Sequence, residues 1–193
     1  MSSVPKNRLT ESEYLAMERQ AEFKSEFYRG EMFAMTGASR PHNLIVGNAI
    51  ASLHQQLLDR DCEVYPSDMR VKVSSCGLYT YPDVSVACQQ PRFEDGEFDT
   101  LLNPVCIAEV LSKSTESYDR GAKFEMYRQL PSLQAYLLIA QDRIHVELFQ
   151  RQSSEHWLLT EFNDPSDVIS LDALNVNLGV ASLYLKVDFS AEG

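Results

Sequence analysis

The sequence has little positive charge. Its 17 lysines and arginines stand against 28 aspartates and glutamates, which gives a formal net charge of −11. Proteins that bind nucleic acid without sequence preference do so by neutralising phosphates, so this balance argues against broad, non-specific binding. It is compatible with a local basic cleft, whose affinity for DNA would depend strongly on salt or on metal ions.

Long apolar runs are absent as well. No stretch approaches the ~20 apolar residues of a membrane-spanning helix. The polar N-terminal segment also lacks the apolar core of a signal peptide. We therefore expect a cytoplasmic protein that makes no contact with a membrane.

Cysteines are few and are not arranged as a metal motif. The four of them, Cys62, Cys76, Cys88 and Cys106, form no C-x-x-C pair. Three lie in strand-like segments, where a free cysteine behaves as a small hydrophobic side chain. We favour buried thiols over a disulfide or a metal-binding role, which agrees with a cytoplasmic location.

Several catalytic patterns are missing too. The chain has no Ser-His-Asp or Cys-His arrangement, no phosphate-binding loop and no zinc-ligand spacing, so other hydrolase classes gain little support. His145 and His156 stand in late strand segments without evident partners, and we interpret both as incidental.

What the sequence does contain is typical of one globular domain. It has 193 residues, of which 44% are hydrophobic, with 9 phenylalanines and 9 tyrosines. This is enough to bury a sizeable core. We expect a single domain over residues 1–193, with its core at about 10–185.

The pattern along the chain predicts a mixed α/β fold. Thr10 and Glu13 fit a capping box that starts a short helix, and Arg29-Gly30 makes the turn of a hairpin over residues 22–35. A helix with one apolar face follows, through Leu58. Strands are predicted at residues 62–66, 69–73, 81–88, 105–111, 134–140, 144–150 and 157–162, with a long acidic loop at 89–103 that we expect to be solvated and a helix at 117–130. We expect a central mixed β-sheet flanked by helices, preceded by the N-terminal helix and hairpin.

Two of the apolar strand segments each carry one carboxylate. Asp83 lies in residues 81–86 and Glu109 in residues 105–111. Like charges about 4 Å apart repel by roughly 4 kcal/mol at an effective dielectric near 20, so such a pair requires a cation or a shared proton. Mg²⁺ prefers oxygen ligands, and Lys123 follows in the next helix as a third member. Together these groups could activate a water molecule and offset charge on a phosphate.

These residues resemble the PD-(D/E)xK nuclease superfamily, with Pro82-Asp83 as the PD and Glu109 as the second acid. The surrounding sequence resembles more closely still the Uma family of proposed restriction endonucleases, above all in the motif E-V-L-S-x-S-T…D-x-x-x-K-x-x-x-Y from residue 109 onward. The other matching segments are residues 28–31, 66–71, 82–86 and 136–139. The resemblance implies a restriction-endonuclease-like core, Mg²⁺ or Mn²⁺ as cofactor, DNA as substrate and a homodimer or higher homo-oligomer.

The resemblance also implies roles for individual residues. Asp83, Glu109 and Lys123 would be catalytic, and Glu26 would join the two acids as a metal ligand or would be a solvated charge on the hairpin. His42 would bind phosphate, move a proton or only cap its helix, and Tyr127 fits the site or the core.

Two alternatives stay open at this point. The superfamily places its lysine two residues after the acid, where this chain has Leu111, so Lys113 competes with Lys123 for the catalytic role. For Lys123, the plain alternative is a surface pair with Asp119, which with Arg120 we interpret as a local pair at the helix start. The alternative for the whole chain is a catalytically weak or inactive homo-oligomeric binding protein that retains the nuclease fold.

Overall fold

The structure, a computed structural model, describes residues 8–189. The predicted mixed α and β architecture is confirmed. The helical segments are α1 (Glu11–Glu18), α2 (Arg40–Leu57), α3 (Glu116–Tyr118), α4 (Phe124–Tyr127) and α5 (Val180–Leu183). The strands are β1 (Ser25–Tyr28), β2 (Glu31–Ala34), β3 (Cys62–Pro66), β4 (Arg70–Val73), β5 (Leu78–Thr80), β6 (Val84–Cys88), β7 (Thr100–Leu101), β8 (Cys106–Leu111), β9 (Ala135–Ala140), β10 (Val146–Arg151), β11 (Trp157–Phe162), β12 (Val168–Leu171) and β13 (Val176–Gly179).

The strands form three sheets. The largest has six strands in the order β11-β10-β9-β8-β6-β3, and it is mixed because β8 and β9 are parallel while their other neighbours are antiparallel. A second sheet has the order β2-β1-β5-β4-β7, and β12 pairs with β13 alone. The central strands β8 and β9 are buried along their whole length, as expected for parallel strands covered on both faces.

Two hydrophobic layers cover the faces of the six-stranded sheet. The apolar face of α2, with Ile45, Ala49 and Leu53, packs on Ala108 and Val110 of β8. The opposite face of β8 carries Ile107 and Leu111, which pack with α4 and β9. Because side chains alternate along a strand, Glu109 points to the same face as Ile107 and Leu111.

The N-terminal elements follow the predicted local signals. Glu13 closes the capping box by accepting the backbone N–H of Thr10 at 2.8 Å. The hairpin turns at Arg29 and Gly30, whose φ angles are 51° and 84°. A Cβ at Gly30 would lie 2.5 Å from Cβ of Arg8, so both the backbone angle and the close approach require glycine here.

The predicted helix over residues 117–130 is irregular. A π-helical turn, Asp119–Lys123, separates α3 from α4. Turns of this kind are rare and occur frequently at functional sites. The hydroxyl of Tyr136 donates to the backbone carbonyl of Asp119 at 3.2 Å, so a neighbouring strand helps to hold this turn.

The acidic loop at residues 89–103 differs from expectation, because basic side chains hold it against the rest of the fold. Arg19 binds both Asp95 and Asp99 at 2.8 Å. Lys72 binds Glu94 at 2.6 Å. The prediction of a solvated loop did not include these contacts, because the cationic partners lie far away in the sequence.

The prediction of four free thiols is wrong for one pair, because Cys62 and Cys88 form a disulfide. They lie directly opposite each other on the antiparallel strands β3 and β6, a register that sequence spacing does not reveal. Cys76 and Cys106 are free thiols, and burial raises the pKa of Cys106 to about 12. Within residues 8–189, no helix has the length and apolar character needed to cross a membrane.

Candidate active site

The two acids of the apolar runs lie side by side in the six-stranded sheet. The antiparallel register pairs Val84 with Ala108, so Asp83, one residue earlier, lies beside Glu109. A carboxylate oxygen of Asp83 accepts the backbone N–H of Val110 at 2.7 Å. This hydrogen bond fixes Asp83 at the end of β6, against the strand that carries Glu109.

Lys123 brings the other predicted residues together. Its ammonium lies 2.9 Å from a carboxylate oxygen of Glu109 and 3.1 Å from one of Glu26. A third carboxylate, that of Asp119, lies at 3.5 Å. The side chains of Lys123 and Glu109 are each only 6% exposed, so this contact is not the surface pair that we considered for Lys123.

Tyr127 and His42 contact one acid each. The hydroxyl of Tyr127 donates to Glu109 at 2.9 Å, and its ring is fully buried in the layer between α4 and the sheet. The Nε2 atom of His42 lies 3.1 Å from Asp83, and both side chains are 15% exposed. Ser39 caps α2 by accepting the backbone N–H of His42 at 3.2 Å, which places the imidazole at the start of that helix.

The cluster formed by Glu26, Asp83, Glu109, Asp119 and Lys123, here called the acidic cluster, holds four carboxylates and one ammonium. Burial raises the pKa of Glu109 to about 8 against the attraction of Lys123, and Asp119 and Asp83 add repulsion. Burial likewise raises the pKa of Asp119.

The pKa of Lys123 is shifted upwards, which keeps its ammonium group charged. Burial by itself lowers the pKa of Lys123, but the surrounding carboxylates, led by Glu109, outweigh it and hold that pKa well above its ordinary value. Lys123 is therefore a fixed positive charge at neutral pH. Burial, with added repulsion from Asp119 and Asp83, favours the neutral form of Glu109 against the attraction of Lys123.

The donors of the acidic cluster fit a hard divalent cation. Carboxylate oxygens are the ligands that Mg²⁺ and Mn²⁺ prefer, and a bound divalent ion would favour the ionised form of Glu109. Asp83, Glu109 and Glu26 are the residues that could hold it. Tyr127 and the backbone of Val110 would orient two of these ligands, as outer groups do in metal sites.

Some residues of the site were missed or left open by the sequence. Asp119 was interpreted as part of a local pair at the helix start, whereas it is 4% exposed and faces Lys123. The signal was its spacing of four residues from Lys123. The ring of Tyr118 lies 5.9 Å from the Lys123 ammonium at the outer side of the cluster. Lys113 is on the exposed loop after β8, so Lys123 is the lysine that contacts Glu109.

Comparisons with known proteins show which family this chain is similar to. The model of the Uma2 family, described as "Putative restriction endonuclease", matches residues 11–183. Two proteins of Synechocystis sp. are similar in sequence. The protein sll1609 is 44% identical over 153 residues, covering 79% of this chain and 86% of its own length. The protein slr1290 is 33% identical over 187 residues and 97% of each chain.

One solved structure is similar in fold. It is a crystal structure from Anabaena variabilis, described as a putative nuclease belonging to DUF820. It has a TM-score of 0.74 at 20% sequence identity, and the match covers 91% of this chain and 97% of the other. At this level of identity, the likeness establishes the fold.

Proposed function

Because the chain belongs to the Uma2 family of putative restriction endonucleases, as its sequence motifs indicated, we propose that it is a Mg²⁺- or Mn²⁺-dependent endodeoxyribonuclease. The reaction is hydrolysis of a DNA phosphodiester bond. The observation that carries the proposal is the acidic cluster, in which buried carboxylates from β1, β8 and the π-helical turn meet one lysine, beside Asp83. Structural ion pairs also shift pKa values, but a surplus of buried acid is typical of a metal-dependent site.

In the proposed mechanism, each residue has a limited task. Asp83, Glu109 and Glu26 would hold the divalent ion, which would supply positive charge against the charge that develops on the phosphate. Lys123 stabilises the same developing charge from the protein side, because it is held in a buried place where electrostatic interactions are strong.

The neighbouring groups position these residues. Tyr127 fixes the carboxylate of Glu109 through its hydroxyl, and Val110 fixes Asp83 through its N–H. His42 contacts Asp83 through Nε2 at 3.1 Å and so positions that carboxylate from the first turn of α2. Asp119 balances the charge of Lys123 and keeps the ammonium in place when DNA enters.

The partners and location belong to the same proposal. Restriction-type nucleases usually cut the two strands of a duplex with two active sites, so we propose a homodimer or a higher homo-oligomer by analogy. We propose a cytoplasmic location because the DNA substrate is found there.

The direct test is cleavage of supercoiled plasmid in the presence and absence of Mg²⁺ or Mn²⁺. We expect Asp83→Asn, Glu109→Gln and Lys123→Met each to lower the rate by at least about 10²-fold, the usual loss for one charged group in a transition state. Glu125→Gln is the matched control, because Glu125 is an exposed carboxylate two residues after Lys123. Lys113→Met should leave the rate unchanged. Cleavage that survives Asp83→Asn or Glu109→Gln would refute the mechanism.

A second candidate is a binding protein that retains the fold and has little turnover. The observation in its favour is the closed contact of Lys123 with three carboxylates, none of which is more than 13% exposed. Equilibrium dialysis with Mn²⁺ separates the two candidates. The nuclease binds the ion through Asp83 and Glu109 and loses it in the two acid variants, whereas an inert protein binds none there.

A further inference from the structure

We propose a second metal site, distinct from the acidic cluster, in which His145, Glu147 and Glu161 bind a first-row transition cation such as Zn²⁺. These three residues are here called the His145 triad. Glu147 lies on β10, Glu161 lies on β11, and His145 immediately precedes β10. One ligand atom from each lies within 4.8 Å of the others. The Nε2 atom of His145 is 3.0 Å from Glu147 and 3.8 Å from Glu161.

The sheet register explains why the triad converges. Glu147 on β10 pairs directly with Glu161 on β11, and directly paired residues share a face. His145 lies two residues before Glu147 and therefore points to that face as well. We had interpreted His145 as an incidental histidine, and its partners come from a strand pairing that spacing alone does not reveal.

The outer contact of His145 is the one that metal-binding histidines make. Its Nδ1 atom lies 2.7 Å from the side-chain oxygen of Asn163. With that oxygen as the acceptor, Nδ1 is the donor, and Nε2 faces the carboxylates of Glu147 and Glu161. A ligating imidazole usually gives its other N–H to such a second group, which fixes the ring.

The charges around the triad leave room for a divalent ion. Two carboxylates, those of Glu116 and Glu147, contact the guanidinium of Arg120, and a third, that of Glu161, lies 3.8 Å from Nε2 of His145. Arg120 contacts an oxygen of Glu147, and it also binds Glu116 through Nε at 3.1 Å and Nη2 at 2.9 Å. Glu116 can therefore hold Arg120 while Glu147 turns its second oxygen to the ion.

The donor chemistry selects the class of ion. An imidazole nitrogen with two carboxylates suits Zn²⁺, Mn²⁺ or Fe²⁺ and gives no advantage to Mg²⁺, which prefers oxygen alone. The side chains of His145 and Glu147 are 12% and 11% exposed, while that of Glu161 is 56% exposed. The triad is therefore mostly preformed, with Glu161 on the side open to solvent.

The triad is separate from the acidic cluster but lies in the same row across the sheet. Glu109 pairs with Leu138, and Leu138 pairs with Glu147. Two strand spacings correspond to about 10 Å, and the fully buried Leu138 lies between the two sites. The residues of one site therefore do not coordinate an ion in the other, and ion binding at each site can be measured separately.

The test uses the full-length protein after treatment with a chelator. Zn²⁺ binding is measured by competition with a chromophoric chelator, and Co²⁺ absorption serves as a second readout for a nitrogen ligand. We expect one Zn²⁺ per chain at the triad in the Asp83→Asn/Glu109→Gln variant, where the other site is disabled. Millimolar Mg²⁺ should not displace this ion.

The triad variants are then compared in that same double-variant background. We expect His145→Gln and Glu161→Gln to weaken Zn²⁺ binding at least 100-fold, and Asn163→Ala to weaken it about tenfold. His156→Gln is the matched control, because the imidazole of this exposed histidine bonds only the Ser153 hydroxyl among the described residues. Circular dichroism in chelator checks that each variant folds. Because the Glu161 side chain is 56% exposed, Glu161→Gln is the variant least expected to disturb folding.

The proposal fails if Zn²⁺ binds equally well after His145→Gln and Glu161→Gln. It also fails if the background variant with both acids replaced binds no Zn²⁺. Neither readout depends on DNA cleavage, so a negative result here is separate from failure of the proposed nuclease function.

Discussion

Two charged networks in this molecule differ in their balance. In the first, here called the Arg70 network, Arg70 is 3% exposed and contacts Asp99 at 2.9 Å, while Arg19 binds Asp99 and Asp95. Arg70 also donates to Thr100 and to Tyr81. Two guanidinium groups thus meet two carboxylates. In the acidic cluster, three carboxylates contact one ammonium, and a fourth, that of Asp83, lies beside Glu109.

The difference separates a structural role from a chemical one. A balanced and hydrogen-bonded network holds its elements in place, and removing one partner exposes the cost of the buried charge that remains. An unbalanced cluster is stabilised by whatever brings positive charge, whether a proton or a metal ion. The Arg70 network joins α1, β4 and the acidic loop, whereas the acidic cluster is the place where we propose that a metal ion binds.

The largest effect on stability is expected in the balanced network. Arg70→Met should lower the free energy of unfolding by about 3–5 kcal/mol, because it leaves Asp99 without a buried partner and removes the donor to Tyr81. Urea denaturation measures this change. Arg40→Met is the control, since Arg40 is exposed. A loss below about 1 kcal/mol in Arg70→Met would remove the distinction between the networks.

In the acidic cluster, removing the ammonium of Lys123 should lower the free energy of unfolding, and removing the charge of Glu109 as well should restore part of the loss. Lys123→Met should cost about 3 kcal/mol at pH 8, because Glu26, Glu109 and Asp119 then repel each other without an ammonium. Adding Glu109→Gln should restore about 1–3 kcal/mol. Urea denaturation of the two single variants and the double variant in chelator measures the coupling. Strictly additive losses would contradict a charge surplus.

The pH dependence sharpens the comparison further. The folded protein holds a proton on Glu109 up to a pKa of about 8, whereas the ordinary value is 4.5. The folded state therefore binds more protons than the unfolded state between these values, and this stabilisation is lost as the pH rises through them. Its slope approaches about 1.4 kcal/mol per pH unit. Unfolding in chelator from pH 5 to 8 should show this slope in the native chain and a flatter profile in Glu109→Gln.

The smallest expected effect lies at the outer side of the balanced network. Arg19 is 30% exposed, so solvent screens its ion pairs with Asp95 and Asp99. Arg19→Ala should lower the free energy of unfolding by about 1 kcal/mol or less. Thermal unfolding is sufficient to measure it. A loss as large as that of Arg70→Met would mean that burial does not determine how much these ion pairs contribute to the free energy of unfolding.

Much of the fold could be predicted because its signals are local. The apolar spacing of α2, the capping box at Thr10 and the apolar run of β8 each indicate an element without knowledge of its neighbours. The cost of burying Glu109 in such a run also pointed to the site. Those signals depend on period and residue type, which the sequence displays directly.

The rest could not be predicted, because it depends on pairings between distant segments. The disulfide of Cys62 with Cys88 follows from strand register, and the bonds of Arg19 to the acidic loop join residues about 80 positions apart. The register of β10 and β11 likewise gives His145 its partners. Asp119 was underestimated because its burial follows from the packing of an irregular turn against β8 and β9.

That irregular turn also has a consequence for how the chain can change. Asp119, Lys123 and Tyr127 follow one another at intervals of four residues, so their side chains lie on one side of this helical segment. Lys123 and Tyr127 both contact Glu109, and Asp119 contacts Lys123. Deleting one residue between Asp119 and Lys123 would rotate the two parts of the segment by about 100° relative to each other and would separate these partners. The length of this turn, and not only its residue types, therefore constrains which sequences can keep the three contacts.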